Sequence, residues 1–484
     1  MAKKRTNRRS AGVKAAPVPG PVAGVSEIPS VRRRYKIVFR ENENSAGKKE
    51  MTRMCGVRRM AETADSKDGM LPHDVLNDET VLCSTLGVAI TDLDDEQVQR
   101  LRASMGDSVI LEMEPERTFY AMGMVSTLPG QEGFGAGASG FSAEYLRGYR
   151  DGIMETMEKL RDSDPGSRAA GVDASMMDAD FLTSSATASE SWGLRATLGT
   201  TSALSGRGSK VAILDTGCDF LHPDFQDGRI KGKASFVDSS NGQDRHGHGT
   251  HCTGVACGPL KDNGKRYGMA YEADIYIGKV LSDKGSGSDS AIIRGIEWAM
   301  RQGCDVISMS LGDPSHPGSY DRTYEHIANR AIMLGTAMVA AAGNESRRPS
   351  NIRPVASPAD TPSILAVGAI DEALNPGLFS NGGLFGNGGS VDCVAPGVRI
   401  YSSLPTTPGF HLQTLNPSLT SSFGFLDGTS MATPYVAGIA ALIKQARPTW
   451  RGFAVMNEIM QHVKALNLPA RDIGKGLVQA PARA

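Results

Sequence analysis

An α/β domain built on a parallel sheet, preceded by a small α+β module, is the architecture this sequence predicts, and three observations predict it. Beyond Trp192, continuous apolar runs of strand length alternate with helix-period segments, as expected for strands buried on both faces between helices. Between residues 34 and 114, short apolar runs flank a helical segment that begins with acidic residues, which fits one small sheet carrying a helix. At 484 residues with 40% hydrophobic residues, the chain exceeds one ordinary domain and can fill a large core and a small one.

Residues 1–30 are basic and rich in Pro, Gly and Ala, and read as a disordered, solvated tail. Residues 31–120 hold the small module, with strands at 35–39, 86–90 and 108–114 and a helix at 94–104. Residues 121–186 read as a Gly-, Ala- and Ser-rich linker with one amphipathic helix. Its Tyr145, Tyr149, Ile153, Met157 and Leu160 recur on one face as a docking stripe. Residues 187–484 carry the large domain: strands at 211–214, 275–277, 306–310, 337–340 and 364–367, helices at 289–301 and 320–334, and an apolar helix at 435–446. In such sheets, sites form beyond the carboxyl ends of the strands.

A formal net charge of −1 with pI near 6.8 gives no electrostatic footing for nucleic acid or an anionic membrane. No run approaches the roughly 18 apolar residues that a membrane span needs. Seven cysteines, scattered and without paired metal spacing, point to reduced thiols. The basic N-terminus is not followed by the apolar segment of a signal peptide, so a cytoplasmic location is the expectation.

Four segments carry chemistry. Ser430 opens the apolar helix in Gly428-Thr-Ser-Met-Ala-Thr-Pro434. Alone it reads as a helix cap, yet unpaired N–H groups at a helix start also favour the negative charge that develops around a nucleophile. Asp215, in Asp215-Thr-Gly217, follows the strand at 211–214. That tripeptide is also an aspartic-protease signature, but such chemistry needs two carboxylates sharing a proton, and no second copy follows an apolar strand. His248 lies in His246-Gly-His-Gly-Thr-His251, where three histidines also fit a metal; the paired His and intervening Glu of zinc proteases are missing. Asn344, after Ala342-Gly343, is either a turn former or an amide donor to an oxyanion.

Together they supply what nucleophilic acyl transfer requires: a hydroxyl, a base, a carboxylate to orient the base, and an oxyanion donor. The order Asp215, His248, Ser430 is that of the subtilisin clan and differs from two unrelated triad folds. Residues from about 191 to 446 resemble the subtilisin-like serine proteases, and Trp192-Gly-Leu194 and Gly247-His-Gly-Thr-His-Cys252 resemble the proteinase K-like branch. The resemblance implies a three-layer domain with a central parallel sheet flanked by helices. It also implies that Ser430 attacks the scissile carbonyl, His248 relays the proton, Asp215 orients His248 and Asn344 stabilises the oxyanion.

Substrate backbone is expected to pair with Gly285-Ser286-Gly287 and with Ser310-Leu311-Gly312. Asp313 stands where the family usually has glycine, and Tyr435 where it usually has histidine. Asp224 matches a family calcium-ligand position, although the partner loop around Lys261 diverges; no cofactor is required for the chemistry. Cys252 is expected to pack beneath the histidine. The small module resembles the inhibitory propeptide, a ferredoxin-like α+β prodomain, so the implied protein is an endopeptidase made as a zymogen. Its implied partners are protein or peptide substrates and its own prodomain in cis. A catalytically silent protein that keeps this fold is the competing class, and the intact Asp215, His248, Asn344 and Ser430 argue against it.

Overall fold

In the small module, the first strand, β1 (Arg33–Phe39), has a different partner on each face. Tyr35, Ile37 and Phe39 point into the module's own core, whereas Lys36 and Val38 point at the large domain, as period-two alternation requires. The computed structural model describes residues 32–66, 80–125 and 191–482, except 263, 265, 316–318, 384–388, 417–418 and 420–421. The tail at 1–30, the linker helix at 145–160 and most of the 121–186 segment lie outside the described residues.

After β1 come α1 (Asn44–Cys55), β2 (Met60–Glu62), β3 (Thr80–Cys83), β4 (Val88–Leu93), α2 (Asp95–Ser104) and β5 (Ile110–Pro115), giving a sheet of order β2-β3-β4-β1-β5. Asp94 and Gln97 form a reciprocal capping box at 2.8 and 2.9 Å, which fixes where α2 starts. The strand expected at 86–90 begins only at Val88, because residues 84–87 turn and Gly87 takes φ +64°. Helix α1 was not expected from its polar composition; Gly47, Met51 and Cys55 give it one narrow buried stripe. The chain then continues through β6 (Thr118–Ala121) and β7 (Met124–Val125), which leave the module and pair with the large domain.

The large domain begins with α3 (Trp192–Ala196), followed by β8 (Lys210–Asp215), β9 (Ile230–Ser235), α4 (His248–Cys257), β10 (Asp274–Lys279) and β11 (Ser286–Ser288). Next come α5 (Asp289–Arg301), β12 (Val306–Met309), β13 (Leu311–Gly312), α6 (Arg322–Leu334), β14 (Ala337–Ala341), β15 (Leu365–Ile370), β16 (Cys393–Pro396) and β17 (Ile400–Ser403). The domain closes with α7 (His411–Leu415), β18 (Phe423–Asp427), α8 (Thr429–Ala446), α9 (Phe453–Gln461), β19 (Val463–Lys464), α10 (Ala470–Ile473) and β20 (Leu477–Val478). Nine strands form the central sheet in the order β19-β20-β16-β15-β14-β12-β8-β10-β9, all neighbours parallel except β19 and β20.

Strand β8 shows why the layers number three. Val211 and Ile213 pack with α4 and α8, while Ala212 and Leu214 pack with α5 and α6, so apolar residues are needed at every position. The prodomain-like sheet lies over α5 and α6: Thr85 N donates to Glu297 Oε1 at 2.6 Å, and Arg301 donates to Ser66 O at 2.8 Å. Helix α8 starts six residues before the expected 435, because Gly428 rather than Ser430 holds the cap position. Ser430 is thus the second helical residue and not a cap.

Candidate active site

Asp215 ends β8, and its fully buried carboxylate meets His248 through Oδ1 and Nδ1 at 2.7 Å. The histidine is placed by a residue upstream of its motif. The Asp244 carboxylate accepts from the backbone N–H of His246, Gly247 and Thr250 at 2.8, 3.0 and 2.9 Å, satisfying the otherwise orphaned first turn of α4. Burial opposes charge on His248, but the Asp215 carboxylate outweighs it and holds the imidazole well above its usual range. His246 is pushed well below that range by burial and by the charge of His248, and His251 falls to about 3 for the same reasons.

The three histidines do not converge on a metal. His251 Nε2 lies 2.9 Å from Ile400 O, and the His246 and His248 rings are 6.1 Å apart. Nor, among the described residues, does Asp215 hydrogen-bond a second aspartate, so the aspartic-protease alternative has no geometry there. Cys252 packs under the histidine as expected, its Sγ 3.8 Å from His248 Nδ1, and burial raises its thiol.

Ser430 depends on Pro434. A proline at i+4 lacks the N–H that would have bonded the Ser430 carbonyl. That carbonyl is taken instead by Ser310 Oγ at 2.8 Å and approached by Cys252 Sγ at 3.5 Å. Ser430 Oγ donates to Ser310 O at 3.0 Å, and His248 Nε2, buried, has no partner among the described residues.

Asn344 lies beyond the end of β14. Its Oδ1 accepts from Thr429 N and Oγ1, each at 2.9 Å, so its NH2 points the other way, to the carbonyl oxygen of Met122. The backbone N–H of Ser430 donates to that same oxygen at 3.3 Å. A carbonyl of the chain itself therefore occupies the two-donor site that oxyanion chemistry uses. Gly428 permits the approach: a Cβ there would stand 2.5 Å from Met122 O.

The predicted binding segments receive the same stretch of chain. Strand β6 lies antiparallel between β11 and β13, with Ser286 opposite Tyr120, Gly287 opposite Phe119, Leu311 opposite Ala121 and Gly312 opposite Tyr120. Ala121 N donates to Gly285 O at 2.9 Å and Met122 N to Ser310 O at 3.2 Å. The Met122 side chain is buried against Ala341 and Ala356, and a Cβ on Gly312 would come within 2.7 Å of its Cε. Phe119 is buried with its ring 5.7 Å from that of Tyr324. Beyond Met122, β7 pairs with β18. The segment at 408–427, just before Ser430, thus supplies the second wall, and its Leu412 N–H also donates to His246 O at 3.0 Å.

At the expected calcium position, Asp224 is engaged by side chains of the chain itself. One carboxylate oxygen pairs with the Lys261 ammonium and the other accepts from Tyr267 Oη at 2.5 Å, so a cation from the diverged loop already neutralises it. Tyr435 is buried, with its Oη 3.5 Å from Ser191 Oγ, and anchors the chain entering α3. Sequence reasoning missed Asp244, Thr429, Met122 and Phe119. The spacing from Asp244 to the first turn of α4 was the available signal for the first of these.

The Subtilase family pattern matches residues 206–476. M-protease of Shouchella clausii (strain KSM-K16) is 40% identical over 280 residues, which is 58% of this chain and 65% of that protein. Subtilisin Savinase of Lederbergia lenta is 40% identical over 280 residues, 58% of this chain and 91% of that protein. Subtilisin of Bacillus pumilus is 38% identical over 281 residues, 58% of this chain and 92% of that protein. The chain thus spans about two thirds of the length of M-protease and most of the other two. Subtilisins need no cofactor for catalysis and often bind structural calcium. The matched domain, which covers more than half of the chain and encloses Asp215, His248, Asn344 and Ser430, identifies the chain as a member of the subtilase family.

Proposed function

We propose that this chain is the zymogen of a serine endopeptidase and that it cuts itself between Met122 and Gly123. The observation that carries the reading is the Met122 carbonyl oxygen, which accepts from both Asn344 Nδ2 and Ser430 N–H. Rotation of the Ser430 side chain away from Ser310 O brings its hydroxyl to the unpartnered His248 Nε2. The oxygen then bonds the Met122 carbonyl carbon as its proton passes to Nε2, and Asp215 steadies the imidazolium through Nδ1. Collapse of the intermediate breaks the bond to Gly123, whose amine takes the proton from His248. Water, activated by the same histidine, releases Met122 from the serine.

Gly123 suits the leaving position, since a Cβ there would lie 2.5 Å from His248 Cδ2. Substrates in trans are proteins or peptides that pair as β6 does, with an unbranched apolar residue before the cut and an aromatic three residues earlier. The Cys252 thiol under His248 supports the proteinase K-like branch as the finer assignment, and seven buried free thiols support a reducing, cytoplasmic setting. Intact mass tests the proposal: the wild type should separate into residues 1–122 and 123–484, and Ser430→Ala should stay whole. Identical processing of both would assign the cut to another protease.

A further inference from the structure

We propose that Asp289, Asp321 and Asp313 form a substrate subsite that takes a cationic side chain, arginine above lysine, at the sixth residue before the scissile bond. The inference rests on reading β6 and Met122 as substrate. Counted back from Met122, the sixth residue is Arg117, and its backbone extends the strand pairing: Arg117 N donates to Asp289 Oδ2 at 2.7 Å, and Asp289 N donates to Arg117 O at 3.1 Å. Main-chain pairing therefore fixes where this side chain goes, whatever its identity.

The guanidinium is met on several sides. Its Nη2 bonds Asp321 Oδ2 and donates to Ser357 Oγ at 3.0 Å, Nη1 lies 3.8 Å from Asp313 Oδ2, and Nε lies 3.9 Å from Asp289 Oδ2. Its Cζ also sits 5.2 Å from the centre of the Phe119 ring, so the sixth and fourth positions are read together. A planar fork with several donors reaches these acceptors at once, whereas an ammonium is a single point of charge. Asp289 and Asp321 are fixed by the scaffold. The first begins α5 and the second caps α6, accepting from Tyr324 N at 2.9 Å.

In the precursor a second cation shares the pocket. Lys36 Nζ, on β1, lies 2.7 Å from Asp321 and 3.4 Å from Asp289. The aspartates named belong to the large domain, whereas Lys36, Arg117 and Glu114, whose Oε2 lies 3.3 Å from Lys36 Nζ, belong to residues 1–122. Maturation removes all three, a net loss of positive charge, and no residue of a substrate strand replaces the lysine. Asp360, next to Asp321, adds a buried carboxylate oxygen without a partner among the described residues, its carboxyl raised to about 7 by burial and by Asp321. The mature cleft is therefore left with an excess of acid at the place where pairing delivers the sixth side chain, and a substrate guanidinium restores the balance.

The test uses enzyme self-processed from the full chain and quenched peptides based on Arg-Thr-Phe-Tyr-Ala-Met-Gly, with Arg, Lys, Gln or Glu at the first position. The expected order of kcat/KM is Arg, Lys, Gln, Glu, with Arg over Gln by at least about tenfold and the gap narrowing with added salt. In Asp313→Asn and Asp321→Asn the Arg-to-Gln ratio should fall toward one; because each ratio comes from one preparation, any loss of folded enzyme cancels. Equal values for Arg and Gln in the wild type, with cleavage still after Met, overturn the subsite and leave the serine chemistry standing. A full chain that neither processes itself nor cuts any peptide overturns the underlying reading and the subsite with it.

Discussion

Thr429 holds the Asn344 side chain by its oxygen, through the backbone N–H and the hydroxyl at 2.9 Å each, which turns the amide NH2 toward the Met122 carbonyl. The donor is thus set before any charge develops. Replacing Asn344 by leucine removes it and should slow single-turnover self-cleavage by about 10²–10³, the magnitude established on subtilisin, itself a relative of this chain. Thr429→Val keeps one of the two anchors and should fall between. A rate for Asn344→Leu within twofold of wild type would show that the Ser430 N–H suffices alone.

Gly123 has no room for a side chain. A Cβ there would stand 2.5 Å from Cδ2 and 2.7 Å from Nε2 of His248, closer than real Cβ contacts come. Gly123→Val should therefore slow self-processing by roughly a hundredfold or more, since small misplacements at the reacting centre cost about that much. The same variant, matured by an added protease, should regain normal peptidase activity, because residue 123 then no longer lies over the imidazole. Unslowed cutting at the same bond, read by mass against time, would place the scissile carbonyl elsewhere.

The chemistry was legible because Asp215, Asn344 and Ser430 each lie at or just beyond the end of an element whose apolar pattern is local: β8 before Asp215, β14 before Asn344, α8 around Ser430. What pairing does over distance was not. Residues 118–121 look like a loop after a finished module, and become a strand only because Ser286–Ser288 and Leu311–Gly312 wait on either side. Lys261 and Asp224 are 37 residues apart, so the family position announced a calcium ligand while the cation that takes it lay in a loop without periodicity. Helix α1 was hidden by composition, since three small or medium buried residues among polar ones give a weak stripe.

Lys261 acts where a metal otherwise could. With Tyr267 it occupies both oxygens of a carboxylate whose side chain is 1% exposed. Removing the lysine leaves that charge buried and unpaired, at a cost reduced by the lysine's own partial exposure. In the uncut Ser430→Ala background, Lys261→Ala should lower Tm by roughly 5 °C. Millimolar calcium should restore part of that loss and raise the Ser430→Ala parent by less. An equal gain in both would mean that calcium acts elsewhere and that the lysine does not stand in for it.

His248 ties activity and stability to pH with opposite signs. Burial disfavours its charge, yet Asp215 prevails and the folded value lies well above the ordinary imidazole range. Only the neutral ring can take the Ser430 proton, so single-turnover self-cleavage should rise with pH to a half-point above about 6.5. Stability runs the other way: the charged ring stabilises the fold fully below its unfolded value and loses that contribution as pH climbs through the folded one. His222, His246 and His251 are held down by burial, so their effect on stability is confined to pH below about 6.5. Between about pH 7 and about pH 8 stability is lost through His248 and through Asp360, whose carboxyl is raised to about 7, and Asp215→Asn separates the His248 share. Over that window the Tm of Ser430→Ala should fall while wild-type cleavage quickens, and Asp215→Asn in the same background should flatten the fall. A Tm that rises through the window in the parent would show that the Asp215 pair does not hold the proton.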